Sequence, residues 1–129
     1  MSEPFCLSIV DDDDLVGRSL KRVIGSTAYR VDVFNSAEAF LDSDQLDECN
    51  CLILDVKMPG LSGLELQRQL QARNFDFPII FMTSYVDDFS KAQALDAGAV
   101  DFLYKPFKEE QLFNAIDRAF NADKTLIAD

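Results

Sequence analysis

The sequence predicts an α/β fold: a doubly wound, five-stranded parallel sheet of order 2-1-3-4-5 with five helices. Three observations carry this reading. Short apolar runs alternate five times with helical periodicities, the pattern of βαβ units. The first, third and fourth runs are nearly continuous in apolar residues, as strands buried on both faces are. Polar or charged residues stand where apolar runs end: Asp11-Asp12 after 5–10, Asp55 after 51–54, Thr83 after 79–82 and Lys105 after 100–104. At 129 residues, 48% hydrophobic, the chain has the length of one domain and ample material for one core.

The elements follow in order. A first strand at 5–10 leads into a helix in which Val16, Leu20, Val23 and Ile24 share a face and Gly25 marks the stop. A second strand covers 30–34. Ser36 then caps a helix carrying Ala37, Phe40 and Leu41. The third strand, 50–55, precedes Ser62-Gly63-Leu64-Glu65, which has capping-box spacing, with Leu66 and Leu70 one turn apart. The fourth strand is 78–83. The helix after it, 88–97, has the weakest signal: Phe89, Ala92 and Leu95 give it a thin apolar face and Gly98 ends it. A fifth strand at 100–104 is followed by a helix with a clear stripe of Leu112, Ala115, Ile116 and Ala119. Residues 1–121 form the domain, and 122–129 read as a tail or the start of a linker. Five strands fit the flavodoxin-like order, whose switch point lies between the first and third strands, where Asp11-Asp12 and Asp55 would meet.

Composition excludes several classes. A net charge of −11 argues against nucleic-acid binding by this segment, which needs clustered Lys and Arg, and against anionic membrane surfaces. No apolar run approaches the ~18 residues of a membrane span, and the N-terminus lacks the pattern of a secretion signal. Cys6, Cys49 and Cys51 are an odd number and read as reduced, buried thiols of a cytoplasmic protein. The chain has no histidine, so it holds no Ser-His-Asp triad, no histidine base and no histidine-ligated zinc.

Singly, each strand-end group has an ordinary reading. Asp11-Asp12 could cap a helix, Asp55 ahead of Met58-Pro59-Gly60 could serve a turn, Thr83 could be another cap, and Lys105 could be a surface cation. Together at one sheet edge they make a pocket with its own chemistry. Three clustered carboxylates repel one another, and a hard divalent cation resolves the conflict. Mg²⁺ prefers a few carboxylates, a carbonyl and waters, which leaves positions open to a phosphoryl group. An aspartate can attack phosphorus and form an acyl phosphate. Lys105 and Thr83 are the donors available to the transferring oxygens.

With these residues in view, the chain resembles the receiver (CheY-like) domain of two-component response regulators. The likeness rests on Ile9-Val10-Asp11-Asp12-Asp13, on 54–63 (Leu-Asp-Val-Lys-Met-Pro-Gly-Leu-Ser-Gly), on Met82-Thr83-Ser84 and on 101–107 (Asp-Phe-Leu-Tyr-Lys-Pro-Phe). It covers essentially 5–121. The segments 36–41 and 97–102 resemble the FixJ-like, LuxR-type branch, which usually carries a C-terminal helix-turn-helix DNA-binding domain.

The resemblance implies roles. Asp55 would take a phosphoryl group from a sensor histidine kinase. Asp12, Asp55 and the Lys57 backbone carbonyl would ligate Mg²⁺ (Mn²⁺ could replace it), with Asp11 acting mainly through a bound water. Thr83 and Lys105 would contact phosphoryl oxygens, and the bond between Lys105 and Pro106 would be cis. Thr83 and Phe102 would be the switch pair, the hydroxyl moving to the phosphate as the ring turns inward. Lys57 and Tyr85 would tune dephosphorylation. The readout would be a changed surface of the fourth helix, fifth strand and fifth helix, with Phe89, Phe102 and Tyr104 nearby. It would drive homodimerisation or release an output domain that binds DNA. A stand-alone receiver would instead act as a phosphate sink or protein-binding module. Such a chain is a phosphoacceptor and not an enzyme, with weak self-phosphorylation from small donors and weak self-dephosphorylation. An aspartate-nucleophile phosphatase would want an acid two residues after its nucleophile, where this chain has Lys57. A flavodoxin would want a loop rich in Ser, Thr and Gly after strand one, where this chain has four aspartates.

Overall fold

The computed structural model describes residues 5–25, 29–84 and 88–128, with the side chains of the last helix as far as residue 121. The strands are β1 (Cys6–Val10), β2 (Arg30–Phe34), β3 (Cys51–Asp55), β4 (Ile79–Thr83) and β5 (Asp101–Tyr104). The helices are α1 (Asp14–Ile24), α2 (Ala37–Leu41), α3 (Gly63–Ala72), α4 (Asp88–Asp96) and α5 (Glu109–Ala128), with a 3₁₀ turn at Leu46–Glu48. All strand pairs are parallel and the sheet order is β2-β1-β3-β4-β5, as the sequence predicts. Helix α5 takes in most of the segment 122–129.

Alternation along the strands feeds two cores. Leu7, Ile9, Ile53, Ile80, Met82 and Leu103 face α1 and α5, where Leu20, Ile24 and the stripe Leu112, Ala115, Ile116 and Ala119 meet them. Val10, Leu52, Leu54, Phe81 and Phe102 face the other way, against Ala37 and Phe40 of α2, Leu66 and Leu70 of α3 and Ala94 of α4. Strands β1, β3 and β4 are buried at every residue, which explains their unbroken apolar runs.

Local signals set the helix starts. The Asp13 carboxylate accepts the Leu15 N–H and caps α1, and the Ser36 hydroxyl accepts from Ala39 and caps α2. The Ser62–Glu65 capping box is complete in both directions. Gly98 ends α4 at φ +101, a left-handed conformation that favours glycine. The three cysteines are buried and form no disulfide, and burial pushes the Cys49 thiol up to about 12.

Helix α4 departs from its expected orientation. Phe89 is 73% exposed, Leu95 is exposed at 41% and Ala92 is exposed as well, so the thin apolar face looks into solvent. Ser90 and Ala94 are the buried positions. Small side chains let the helix lie close to its neighbours. The Gln67 and Gln71 side-chain amides of α3 then donate to the Ala94 and Ala97 carbonyls at 3.2 and 2.6 Å. Packing by small residues and polar bonds leaves no apolar period to read.

Candidate phosphoacceptor and cation site

The backbone ladder runs on past the strands and places the site. Asp11 N–H donates to the Phe34 carbonyl at 3.1 Å, Val56 N–H to Met82 at 3.0 Å and Lys105 N–H to Thr83 at 2.7 Å. Asp11, Asp55, Thr83 and Lys105 therefore stand at the C-terminal ends of β1, β3, β4 and β5, on one edge of one sheet. In doubly wound sheets this is the ligand-binding edge.

Asp11, Asp55 and Thr83 are buried, at 1%, 7% and 2% exposure, whereas Asp12 is exposed. Asp11, Asp12 and Asp55 each bring a carboxylate oxygen into a group lying within 4.8 Å. The Lys105 ammonium bridges the two buried carboxylates, 2.7 Å from Asp11 Oδ2 and 3.4 Å from Asp55 Oδ2. Asp11 Oδ1 accepts the Asp13 N–H at 2.9 Å, and Asp55 Oδ1 accepts the Lys57 N–H at 3.3 Å. The bond between Lys105 and Pro106 is cis.

The charges do not balance. Among the described residues, one ammonium faces two buried carboxylates and a third at the rim. Burial, then the Asp11 charge, raise the Asp55 carboxyl to about 6 against the pull of Lys105; a hydrogen bond shared with Asp11 adds to the rise. Lys105 shows the reciprocal effect. Burial opposes its charge, but the hydrogen bond to Asp11 and the charges of Asp55 and Asp11 outweigh it and raise its pKa. An all-oxygen donor set with an excess of negative charge fits a hard divalent cation such as Mg²⁺.

The loop between β3 and α3 carries Lys57, whose N–H donates to Asp55. Gly63 closes its base by donating to the Val56 carbonyl at 2.9 Å, and Gly63 packs so tightly on the Asp55 carbonyl that an added Cβ would overlap it. Lys57 itself is exposed and Met58 is buried beneath it.

Phe102 is 5% exposed, its ring 6.0 Å from that of Phe81 and 5.6 Å from that of Tyr104. The ring expected to turn inward already faces the core. Tyr104 is half-buried beside it, with the Lys91 ammonium 5.7 Å over its ring. Tyr85 lies outside the described residues. Glu38, Gln67 and Gln71 are contacts that sequence reading misses, because each acts across more than twenty residues with no local motif. Asp13 was legible as part of the aspartate run, and its capping role follows from its place ahead of α1.

Beside the pocket, Leu15, Val16 and Leu20 of α1 and Lys105, Pro106 and Phe107 line an open, largely apolar groove of about 700 Å³. No helix among the described residues is long and apolar enough to cross a membrane.

The family model of the response regulator receiver domain matches residues 7–117. The chain is 45% identical over 111 residues to the response regulator protein TodT of Pseudomonas putida, an alignment covering 86% of this chain and 49% of that protein. It is 39% identical over 111 residues to the transcriptional regulatory protein FixJ of Bradyrhizobium diazoefficiens, covering 86% and 54%. The solved response regulator StyR superposes with a TM-score of 0.89 at 36% identity, covering 98% of this chain and 64% of that one. The chain spans about half the length of the curated relatives it matches. By its sequence match, its strand order and its strand-end residues, the chain belongs to the receiver domain family of two-component response regulators.

Proposed function

We propose that this receiver is a phosphorylation switch in which Asp55 accepts a phosphoryl group from a histidine kinase with Mg²⁺, or Mn²⁺ in its place. The observation that carries the reading is the buried Asp55 carboxylate at the centre of Asp11, Asp12 and Lys105, with Thr83 at the next strand end. An Asp55 carboxylate oxygen attacks phosphorus and the phosphorus–nitrogen bond of the donor phosphohistidine breaks. The electron pair leaves on the donor imidazole, which then holds a proton from solvent. This chain has no histidine, so the donor belongs to a partner. Asp11, Asp12, Asp55 and the Lys57 carbonyl would hold the cation, which when bound supplies positive charge against the transferring oxygens. The Lys105 ammonium is already at Asp55 and Thr83 offers a hydroxyl, so both are placed to serve a phosphoryl group there. The apolar groove beside Lys105 gives a donor protein a surface next to the acceptor.

The new charge, roughly −1.5 to −2 by analogy with other phosphorylated side chains, arrives at an already acidic edge. The readout is a shift of α4, β5 and α5, whose α4 is held by small residues and two glutamines. Because Phe102 starts from the core, the outward part of this surface is formed by Phe89, Leu95 and the Tyr104–Lys91 pair. It controls homodimerisation or an output domain. The transcriptional relatives and the FixJ-like likeness favour a DNA-binding output outside this segment, in the cytoplasm. A lone receiver would act as a phosphate sink or bind a partner directly. Lys57 at the place of a phosphatase's second acid keeps turnover weak, so the chain serves as acceptor and not as an enzyme. Titration with beryllofluoride, an acyl-phosphate mimic, tests the pocket. Saturable, Mg²⁺-dependent binding with amide shifts at Thr83 and Lys105 is expected; no binding with Mg²⁺ present would refute the switch.

A further inference from the structure

We infer that Glu38, on α2 and outside the pocket, is a positioning residue that sets its cation affinity by clamping the loop between β3 and α3. The inference rests on the Mg²⁺ reading above. Glu38 Oε2 accepts the Leu61 N–H at 3.1 Å, across 23 residues of sequence. Gly60 sits directly under the same carboxylate at φ +75, and a Cβ there would stand 2.7 Å from Glu38 Oε2. The left-handed conformation at residue 60 favours glycine, and the missing side chain leaves the Glu38 carboxylate room over the loop.

The rest of the loop shows why one contact matters. Its base is closed by the Gly63–Val56 hydrogen bond and by the close seat of Gly63 on Asp55. Met58 and Leu61 pack into the core that also holds Ala37 and Phe40 of α2, on either side of Glu38. Lys57, Pro59 and Gly60 are exposed between those two fastenings. The Lys57 carbonyl is the one proposed ligand drawn from the main chain, and it lies two residues past the end of β3. Mg²⁺ demands near-ideal octahedral geometry, so a carbonyl that wanders weakens the site more than it would a Ca²⁺ site. Glu38 restrains the apex of the loop that presents this carbonyl.

The test separates an acceptor at the right reach from a negative charge near a cation. Mg²⁺ affinity is measured by calorimetry on folded protein well below its melting temperature, for wild type and for Glu38→Gln, Glu38→Asp and Glu38→Ala. Gln keeps an acceptor oxygen at the same reach and loses the charge; Asp keeps the charge and falls one methylene short. The clamp predicts near-wild-type affinity for E38Q and affinity about five-fold weaker for E38D and E38A, the effect of one ordinary hydrogen bond. It also predicts faster amide exchange at Leu61 in the last two. Unchanged affinity in E38A, or loss in E38Q with retention in E38D, overturns the clamp and leaves the cation site standing. Absence of Mg²⁺ binding by wild type overturns the cation reading itself, and the clamp with it.

Discussion

Asp55 carries the pH dependence of the site. Its folded-state pKa of about 6 exceeds the ordinary 3.8, first because of burial and then because of Asp11. Below pH ~4 the carboxyl is protonated in folded and unfolded chains alike, and the native state holds its full contribution. As pH rises through about 6 the folded protein must ionise a group that the unfolded chain ionises more readily, and that contribution is lost. The Asp55 contribution to the stability of the metal-free protein is therefore expected to fall between about pH 4 and 6, the reverse of an aspartate whose pKa is lowered by its ion pair. Mg²⁺ binds the ionised form, so its apparent affinity should fall as pH drops below about 6. Urea melts and Mg²⁺ titrations across pH 4–8 check both; a site affinity flat across that range would contradict this placement of Asp55. The Asp55→Asn variant removes the titrating group and should flatten both profiles.

Helix α4 is the element on which sequence and structure part. Its apolar residues fall at helical spacing, yet Phe89 stands at 73% exposure and Ser90 and Ala94 make the buried contacts. Phe89→Ser should therefore change stability by no more than about 0.5 kcal/mol. Phe40→Ala, at a fully buried ring, should cost about 3–5 kcal/mol. Denaturant unfolding of the two variants makes the comparison. The glutamines of α3 give a second expectation: Gln67→Leu with Gln71→Ala should speed amide exchange across α4 while leaving β1 and β3 protected. Equal protection of α4 with and without the pair would show that something else holds the helix. The strands were legible because burial on both faces leaves an unbroken apolar run in β1, β3 and β4. Helices α1, α2, α3 and α5 were legible from caps and stripes that lie within one element. Helix α4 was legible in its extent, 88–97 against Asp88–Asp96, but not in its buried face, which small residues and carbonyl bonds make with no periodic signal. Glu38 left no trace for the same reason: its partner lies on another element.

At the scale of the molecule, parallel strand order converts residues scattered over nearly a hundred positions into one pocket. Strand ends found from apolar runs predicted which groups would meet, and the register brings Asp11, Asp55, Thr83 and Lys105 to one edge. The inward seat of Phe102 was beyond that logic, because alternation along β5 fixes a face but not which way an edge-strand ring leans. The switch account joins this pocket to the α4–β5–α5 surface through β5, whose Tyr104 pairs with Thr83 in the ladder. Its central claim is that Asp55 is the acceptor. Intact mass after incubation with acetyl phosphate and Mg²⁺ tests that claim most directly. One phosphoryl increment on wild type, absent without Mg²⁺ and absent from Asp55→Asn, is the predicted result; an increment of the same size on Asp55→Asn would contradict it.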